Sequence, residues 1–375
     1  MNVLVTGGAG FIGTHLVRRL LREGCSVAVL DAFSSQVHAQ QGKLPSDLVD
    51  HVELYKGDVR DQKVVSRALA NRDIVVHLAA ETGTGQSMYE VLRYQDVNIG
   101  GTATIVACLV NQANLAVRKF VVASSRAVYG EGKYRCSAHG VLYPIERRLD
   151  RLKAGQYDLH CPACDKVCVP EATNEDSPLC PLSFYGLTKQ VQEQMVLMFA
   201  RARGFSAYAL RYQNVYGPGQ SLRNPYTGIL AIFSTLARSN LAIQIFEDGR
   251  ESRDFVFVDD AVEATWRCIA KDSPCVDSFN VGTGQRTTVL QVAKEIVKFF
   301  RSDSEISISG AFRQGDIRHN CADLSKIRQA IDFSPRFTFR EGLERFLAWV
   351  ADQDRLPAGY ESSLREMRER GLLHE

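Results

Sequence analysis

Gly7-Gly8-Ala9-Gly10-Phe11-Ile12-Gly13 joins a short apolar run, Val3-Leu4-Val5, to a segment with helical spacing from Gly13 to Leu21. Glycines at that junction permit a tight turn, let backbone N–H groups approach a phosphate, and let helix and strand pack closely. The helix N-terminus adds its partial positive charge. The spacing is Gly-x-x-Gly-x-x-Gly rather than the commoner Gly-x-Gly-x-x-Gly. A second apolar run, Ser26 to Leu30, ends at Asp31, 18 positions after Gly13. A carboxylate there accepts hydrogen bonds from adenosine ribose hydroxyls and repels a 2′-phosphate. Turn, order and spacing together predict a dinucleotide site and favour NAD over NADP. Gly7, Gly10, Phe11, Ile12, Gly13 and Asp31 are its first candidate residues.

Outward from the turn, strand and helix signals alternate. Val52 to Tyr55 reads as a third strand, and Ile74 to Leu78 and Phe120 to Ala123 are apolar runs of the kind found in strands covered on both faces. Helical spacing returns over Gly100–Gln112 and Thr188–Ala202. The pattern predicts an α/β fold: a Rossmann-type, doubly wound parallel sheet with a smaller mixed C-terminal lobe for substrate. The expected divisions are 1–215 for the sheet domain, 216–350 for the lobe with segments interwoven, and 351–375 for a charged tail. Gly57-Asp58-Val59 after the third strand and Leu78-Ala79-Ala80 after the fourth fall at the same cleft. Asp58 and Val59 can hold adenine, and the small residues allow close backbone approach.

Composition narrows the function. The 375 residues carry 45 Lys+Arg against 43 Asp+Glu, and 45% are hydrophobic. At roughly 150 residues per domain, that length allows two domains or one large α/β unit. A net charge of +2 draws the chain to neither nucleic acid nor a membrane. No apolar run reaches the ~18–20 residues of a span, and Met1 leads directly into the first strand. A cytoplasmic protein is expected.

Tyr185-Gly186-Leu187-Thr188-Lys189 sets a phenol and an ammonium four residues apart on one helix face. A nearby cation and the positive nicotinamide ring favour the phenolate; a fall of ~3 units needs about 4 kcal/mol. Tyr185 is thus a candidate base for a sugar hydroxyl. Ser125, at the end of the Phe120–Ala123 strand, can hydrogen-bond the same oxygen.

These residues in this order resemble the extended short-chain dehydrogenase/reductase family, the NAD-dependent nucleotide-sugar epimerases and dehydratases. The resemblance runs from Met1 to about Val350 and includes Asn98, Ser124-Ser125 with Val128-Tyr129-Gly130, and Arg211 to Pro218. It continues through Arg253 to Asp260, Asn280-Val281-Gly282 and Gly315 to Arg318. It implies that Asn98, Tyr185 and Lys189 serve the cofactor, that Ser125, Tyr185 and Lys189 are catalytic, and that Ser125, Arg126 and Asn214 meet the nucleotide sugar. Arg253 and Arg313 should neutralise its diphosphate, with Arg318 an alternative to Arg313. It also implies a homodimer through helices near 100–112 and 188–202. Dehydratases of this kind usually place Thr-Asp-Glu where this chain has Ser125, Arg126 and Ala127. The acid and base for elimination are missing, so 4-epimerisation through a 4-keto sugar is expected.

Within the family, the Ser-Ser-Arg-Ala-Val-Tyr-Gly stretch and the Cys-Pro-x-Cys insertion are similar to bacterial dTDP-L-rhamnose 4-epimerases. A UDP-glucose or UDP-hexuronate 4-epimerase is the alternative, and a non-catalytic NAD sensor a further one.

The insertion, 131–180, holds five of the ten cysteines. Cys161-Pro162-Ala163-Cys164 has zinc-knuckle spacing, Cys168 follows, and a closed site would need Cys136 or Cys180 as well. No metal ligand is assigned on spacing alone. With zinc, the insertion is expected to order as a lid over the sugar site.

Overall fold

The computed structural model describes residues 1–38, 42–111, 116–224, 228–354 and 360–374. Seven parallel strands form the central sheet: β1 (Asn2–Thr6), β2 (Ser26–Asp31), β3 (Glu53–Lys56), β4 (Ile74–His77), β5 (Lys119–Ser125), β6 (Ser206–Tyr212) and β7 (Val276–Val281). Their spatial order is β3-β2-β1-β4-β5-β6-β7. The order reverses between β1 and β4, so the loops after those two strands open a crevice at their carboxyl ends. The register sets Val3, Leu4 and Val5 beside Val27, Ala28 and Val29.

Both faces of the sheet are covered along its inner strands, while the edge strand β3 is mostly exposed. Val3, Val5, Val27 and Val29 point into one apolar cluster, while Leu4, Ala28 and Leu30 point into another. The near-absence of polar alternation in the sequence follows from this, and each fully buried Val or Leu contributes about 1.5–3 kcal/mol. Helices α1 (Phe11–Arg22) and α5 (Val258–Ala270) pack together on one face. On the other lie α2 (Gln62–Leu69), α3 (Gly101–Val110) and α4 (Phe184–Arg203).

Three boundaries differ from the sequence reading. The sheet takes β7 and its helix α5 from beyond residue 215, because the parallel register beside β6 is completed only when the chain returns from the second lobe. Helix α4 begins at Phe184 rather than Thr188: the Ser183 side chain caps it by accepting from the Gly186 N–H. The helix expected over Gly100–Gln112 is preceded by a π-helical turn, Gln95–Gly100, and its last residue, Gln112, lies outside the described residues. Val110, Leu187 and Met198 on α3 and α4 are exposed.

The second lobe is built from short parallel pairs, Asn214–Tyr216 with Phe255–Phe257 and Ile243–Ile245 with Ile306–Ile308. Helices Val289–Phe300 and Phe339–Ala351 open with reciprocal capping boxes, Thr288/Gln291 and Thr338/Glu341. Part of the expected tail lies outside the described residues; the rest forms a helix, Tyr360–Glu369, and a strand, Leu373–His374, paired with Phe312–Arg313. Among the described residues, no helix is long and apolar enough to cross a membrane.

Candidate active site

The phosphate turn has little room for any other sequence. Gly7 sits at φ +69°, and a Cβ there would lie 2.7 Å from the Ala79 nitrogen. At Gly13 a Cβ would lie 2.2 Å from the Gly7 carbonyl oxygen. Asp31 ties the turn to β2: one carboxylate oxygen accepts from the Ala9 N–H at 3.0 Å, the other from the Phe33 N–H at 2.8 Å. His38, which the sequence did not single out, stands 3.5 Å from that carboxylate. The first-turn N–H groups of α1 have no intrahelical partner and face the cleft. A bare-backbone cradle on a helix N-terminus, with a buried carboxylate at the second strand's end, fits a dinucleotide.

The cleft above it has a volume of about 1200 Å³. A typical small-molecule site spans ~300–1,000 Å³, so two ligands can lie side by side. Gly7, Gly10, Phe11, Ile12, Gly13, Asp31, Asp58, Val59, Leu78, Ala79 and Ala80 line one end. Ser125, Arg126, Tyr185, Lys189, Asn214, Arg253 and Arg313 line the rest. Asn98 does not. Its side chain is fully buried, accepting from the Glu81 N–H at 2.7 Å and donating to the Glu81 carbonyl and the Thr188 hydroxyl. It fixes the β4 loop against α4, from within the π turn. Asp58 faces the cleft with both oxygens on Arg60, whose hydrogen bonds hold it below the usual carboxylate range.

Tyr185 and Lys189 project from the first turns of α4 beside the end of β5. The Ser125 side chain lies beside the Tyr185 phenol and favours its ionised form. Lys189 Nζ donates to the Ala123 carbonyl at 2.9 Å, and burial pushes its pKa down to about 7. The Tyr185 phenol stands between opposing influences. Burial raises its pKa, opposed by the Ser125 side chain and by the charge of Arg126. Arg126 is thus one cation beside the phenol. It is itself pushed down to about 10 by burial and by repulsion from Arg253. The neighbouring Ser124 hydroxyl donates to Glu193 at 2.7 Å, which leaves Ser125 for the phenol.

Arg253 donates to Asp316 at 2.9 Å and to the carbonyls of Ile317 and Arg318. Arg313 stacks 4.7 Å from the centre of the Phe246 ring. Arg318 does not line the cleft, whereas Arg313 does; Arg318 is buried on Asp158, Glu247 and Asp248. Gln213, Gln220 and Phe246, which no sequence motif singles out, also line this end. Their only signal is proximity to Asn214 and to a strand pair too short to read. The insertion contributes no residue to the lining. It stands behind the Arg253 wall, so the expected lid is not formed.

The chain matches the NAD dependent epimerase/dehydratase family over residues 3–146 and 161–282. It is 37% identical over 354 residues to dTDP-L-rhamnose 4-epimerase of Burkholderia thailandensis, covering 94% of this chain and 95% of that one. Among solved structures it is similar to UDP-glucose 4-epimerase of Thermotoga maritima with UDP-glucose: TM-score 0.75, 29% identity, 94% and 99% of the two chains. It is also similar to the Thermus thermophilus UDP-glucose 4-epimerase in complex with NAD: TM-score 0.73, 26% identity, 94% and 100% covered. The chain belongs to the NAD-dependent epimerase/dehydratase family, and NAD is its cofactor.

Proposed function

We propose that this protein interconverts two nucleotide sugars by inverting C4, with dTDP-L-rhamnose and dTDP-6-deoxy-L-talose as the pair. The observation that carries the reaction type is the meeting of Ser125 and Tyr185 in the cleft beside Arg126 and Ala127. That site has a base for a hydroxyl and no carboxylate pair for expelling water. The likeness to the Burkholderia thailandensis enzyme supports the substrate. NAD supplies a reversible hydride acceptor at the sugar's C4. Tyr185 removes the O4 proton and later returns it, and Ser125 holds that oxygen in line. Lys189 anchors the end of β5 through Ala123 and carries charge into the site. Asn214, whose side-chain oxygen is buried without a protein partner, and Arg253 and Arg313 meet the diphosphate.

Incubation of the purified enzyme with dTDP-L-rhamnose and NAD, followed by NMR of the sugar, is expected to show the talo epimer with no net change in NADH. Turnover of UDP-glucose instead would move the assignment to the alternative substrate. A product that has lost water would reject the mechanism.

Asp31 defines a second expectation. A 2′-phosphate beside this buried carboxylate meets charge repulsion and lacks the ribose hydroxyl bond. NADP⁺ should therefore bind at least ~100-fold more weakly than NAD⁺, about 2.8 kcal/mol. Calorimetric titration of both measures it, and similar affinities would remove Asp31 from that role.

A further inference from the structure

The cysteine-rich insertion folds as a separate small unit against the second lobe. Three strands, Gly140–Leu142, Tyr134–Cys136 and Val169–Pro170, form an antiparallel sheet. A second hairpin is closed by the bridge between His160 and Val167 and by the Cys161 N–H donating to the Lys166 carbonyl at 2.8 Å. Each hairpin brings one x-x-spaced pair to its tip: Cys136-Ser137-Ala138-His139 on the first, Cys161-Pro162-Ala163-Cys164 on the second. The two tips meet. Their three sulfurs and one imidazole nitrogen all lie within 4.8 Å of one another.

The individual spacings are those of a tetrahedral ion. A centre with ~2.3 Å bonds to sulfur and ~2.0–2.1 Å to nitrogen sets its donors about 3.8 Å apart for S–S and about 3.5 Å for S–N. Cys136 Sγ lies 3.5 Å from Cys164 Sγ, and Cys161 Sγ lies 3.4 Å from His139 Nδ1. Cys136 Sγ is 3.7 Å from the same nitrogen. None of these is a disulfide, whose bond is about 2.05 Å. The Ala138 N–H points at Cys136 Sγ at 3.4 Å. An amide two residues beyond the sulfur is a supporting bond of the kind that a knuckle's thiolates require.

We propose that Cys136, His139, Cys161 and Cys164 bind one structural Zn²⁺ ion. Four protein ligands close the site, so the ion has no open position for chemistry. Cys168, buried beside the cluster, and Cys180 are not ligands. This replaces the reading in which no metal ligand was assigned and in which Cys168 was the third cysteine. A count of cysteines does not reveal His139; the paired Cys-x-x-His and Cys-x-x-Cys spacings carry the signal.

The ion has a structural task. The insertion is short of apolar core, with Leu159, Tyr134 and the cysteines as its buried cluster, and a closed zinc site supplies folding energy directly. The ordered insertion presents Arg147 to Glu131 at 3.2 Å and to Glu247 at 2.8 Å, and Asp158 to Arg318 at 2.9 Å. Glu247 and the Arg253 partner Asp316 line the cleft. The consequence for activity rests on the reading of that cleft as a sugar-nucleotide site; the metal content does not.

The full-length protein, purified without chelator, is expected to carry about one zinc per chain by elemental analysis. Less than a tenth of an equivalent overturns the site, as does a Cys136–Cys164 disulfide in non-reducing mass spectrometry. Cys168→Ser should keep the metal, whereas Cys161→Ser should lose it. Metal kept by Cys161→Ser and lost by Cys168→Ser would overturn the ligand set. Should Cys161→Ser fail to fold, the wild type still decides: chelator-driven zinc release should unmask three additional reactive thiols while NAD binding persists, and release without them overturns the assignment. Chelation should raise KM for the nucleotide sugar more than it lowers kcat. If zinc is present and no nucleotide sugar turns over, the reading of the cleft has failed and the metal site stands.

Discussion

Tyr185→Phe is expected to lower kcat at least ~100-fold, the lower end for a positioned acid–base group, with NAD affinity unchanged. The substitution removes one oxygen and leaves the ring, which packs edge-on against Tyr94 with centroids 6.4 Å apart. The cleft keeps its shape and loses only the phenol oxygen. Steady-state kinetics at saturating sugar and calorimetry with NAD separate chemistry from binding. A near-wild-type rate would take the proton transfer away from Tyr185. The pH profile gives an independent readout, because Arg126 is a charge that opposes the burial of this phenol. A base works deprotonated, so the rate rises with pH through its pKa. Replacing Arg126 with Leu removes a stabilising cation, raises that pKa, and should move the ascending limb to higher pH. A limb that stays in place would show that Arg126 acts on the sugar nucleotide alone.

The sheet domain was legible because its physics is local. Buried parallel strands read as unbroken apolar runs, and a turn closed to any Cβ reads as glycine. The Gly7–Gly13 cradle, Asp31 and the Tyr185/Lys189 pair therefore reach the cleft where spacing puts them. What was not legible depends on long-range pairing. Val276–Val281 enters the sheet only through its partner β6. Asn98 has the sequence context of a cofactor ligand, yet its three hydrogen bonds tie together segments 17 and 90 residues away. Arg126 owes its effect on the phenol to burial, which no spacing reveals. The same holds for the tail, whose Leu373–His374 strand braces the strand bearing Arg313.

Glu193→Ala is expected to cost about 3–5 kcal/mol of stability, the range for breaking a buried ion pair by removing one partner. In the helical pattern of α4, Glu193 reads as one more polar position. In the structure it is 3% exposed, and its carboxylate meets Arg211 at 2.6 and 3.1 Å and Ser124 at 2.7 Å. Arg211 in turn donates to Tyr129 at 2.7 Å, and Tyr129 to Asn280 at 2.8 Å. One carboxylate thus ties α4 to β5 and β6, and reaches β7 through Tyr129. Without it, Arg211 is left as a buried, uncompensated cation. Against a total stability of ~5–15 kcal/mol, the loss is large, and the urea midpoint should fall clearly. The double variant Glu193→Leu/Arg211→Met should recover much of it, since replacing both charges by apolar groups of similar volume removes the desolvation cost along with the attraction. A loss below ~1 kcal/mol in the single variant would mean that water reaches the pair and that it behaves as a surface bridge.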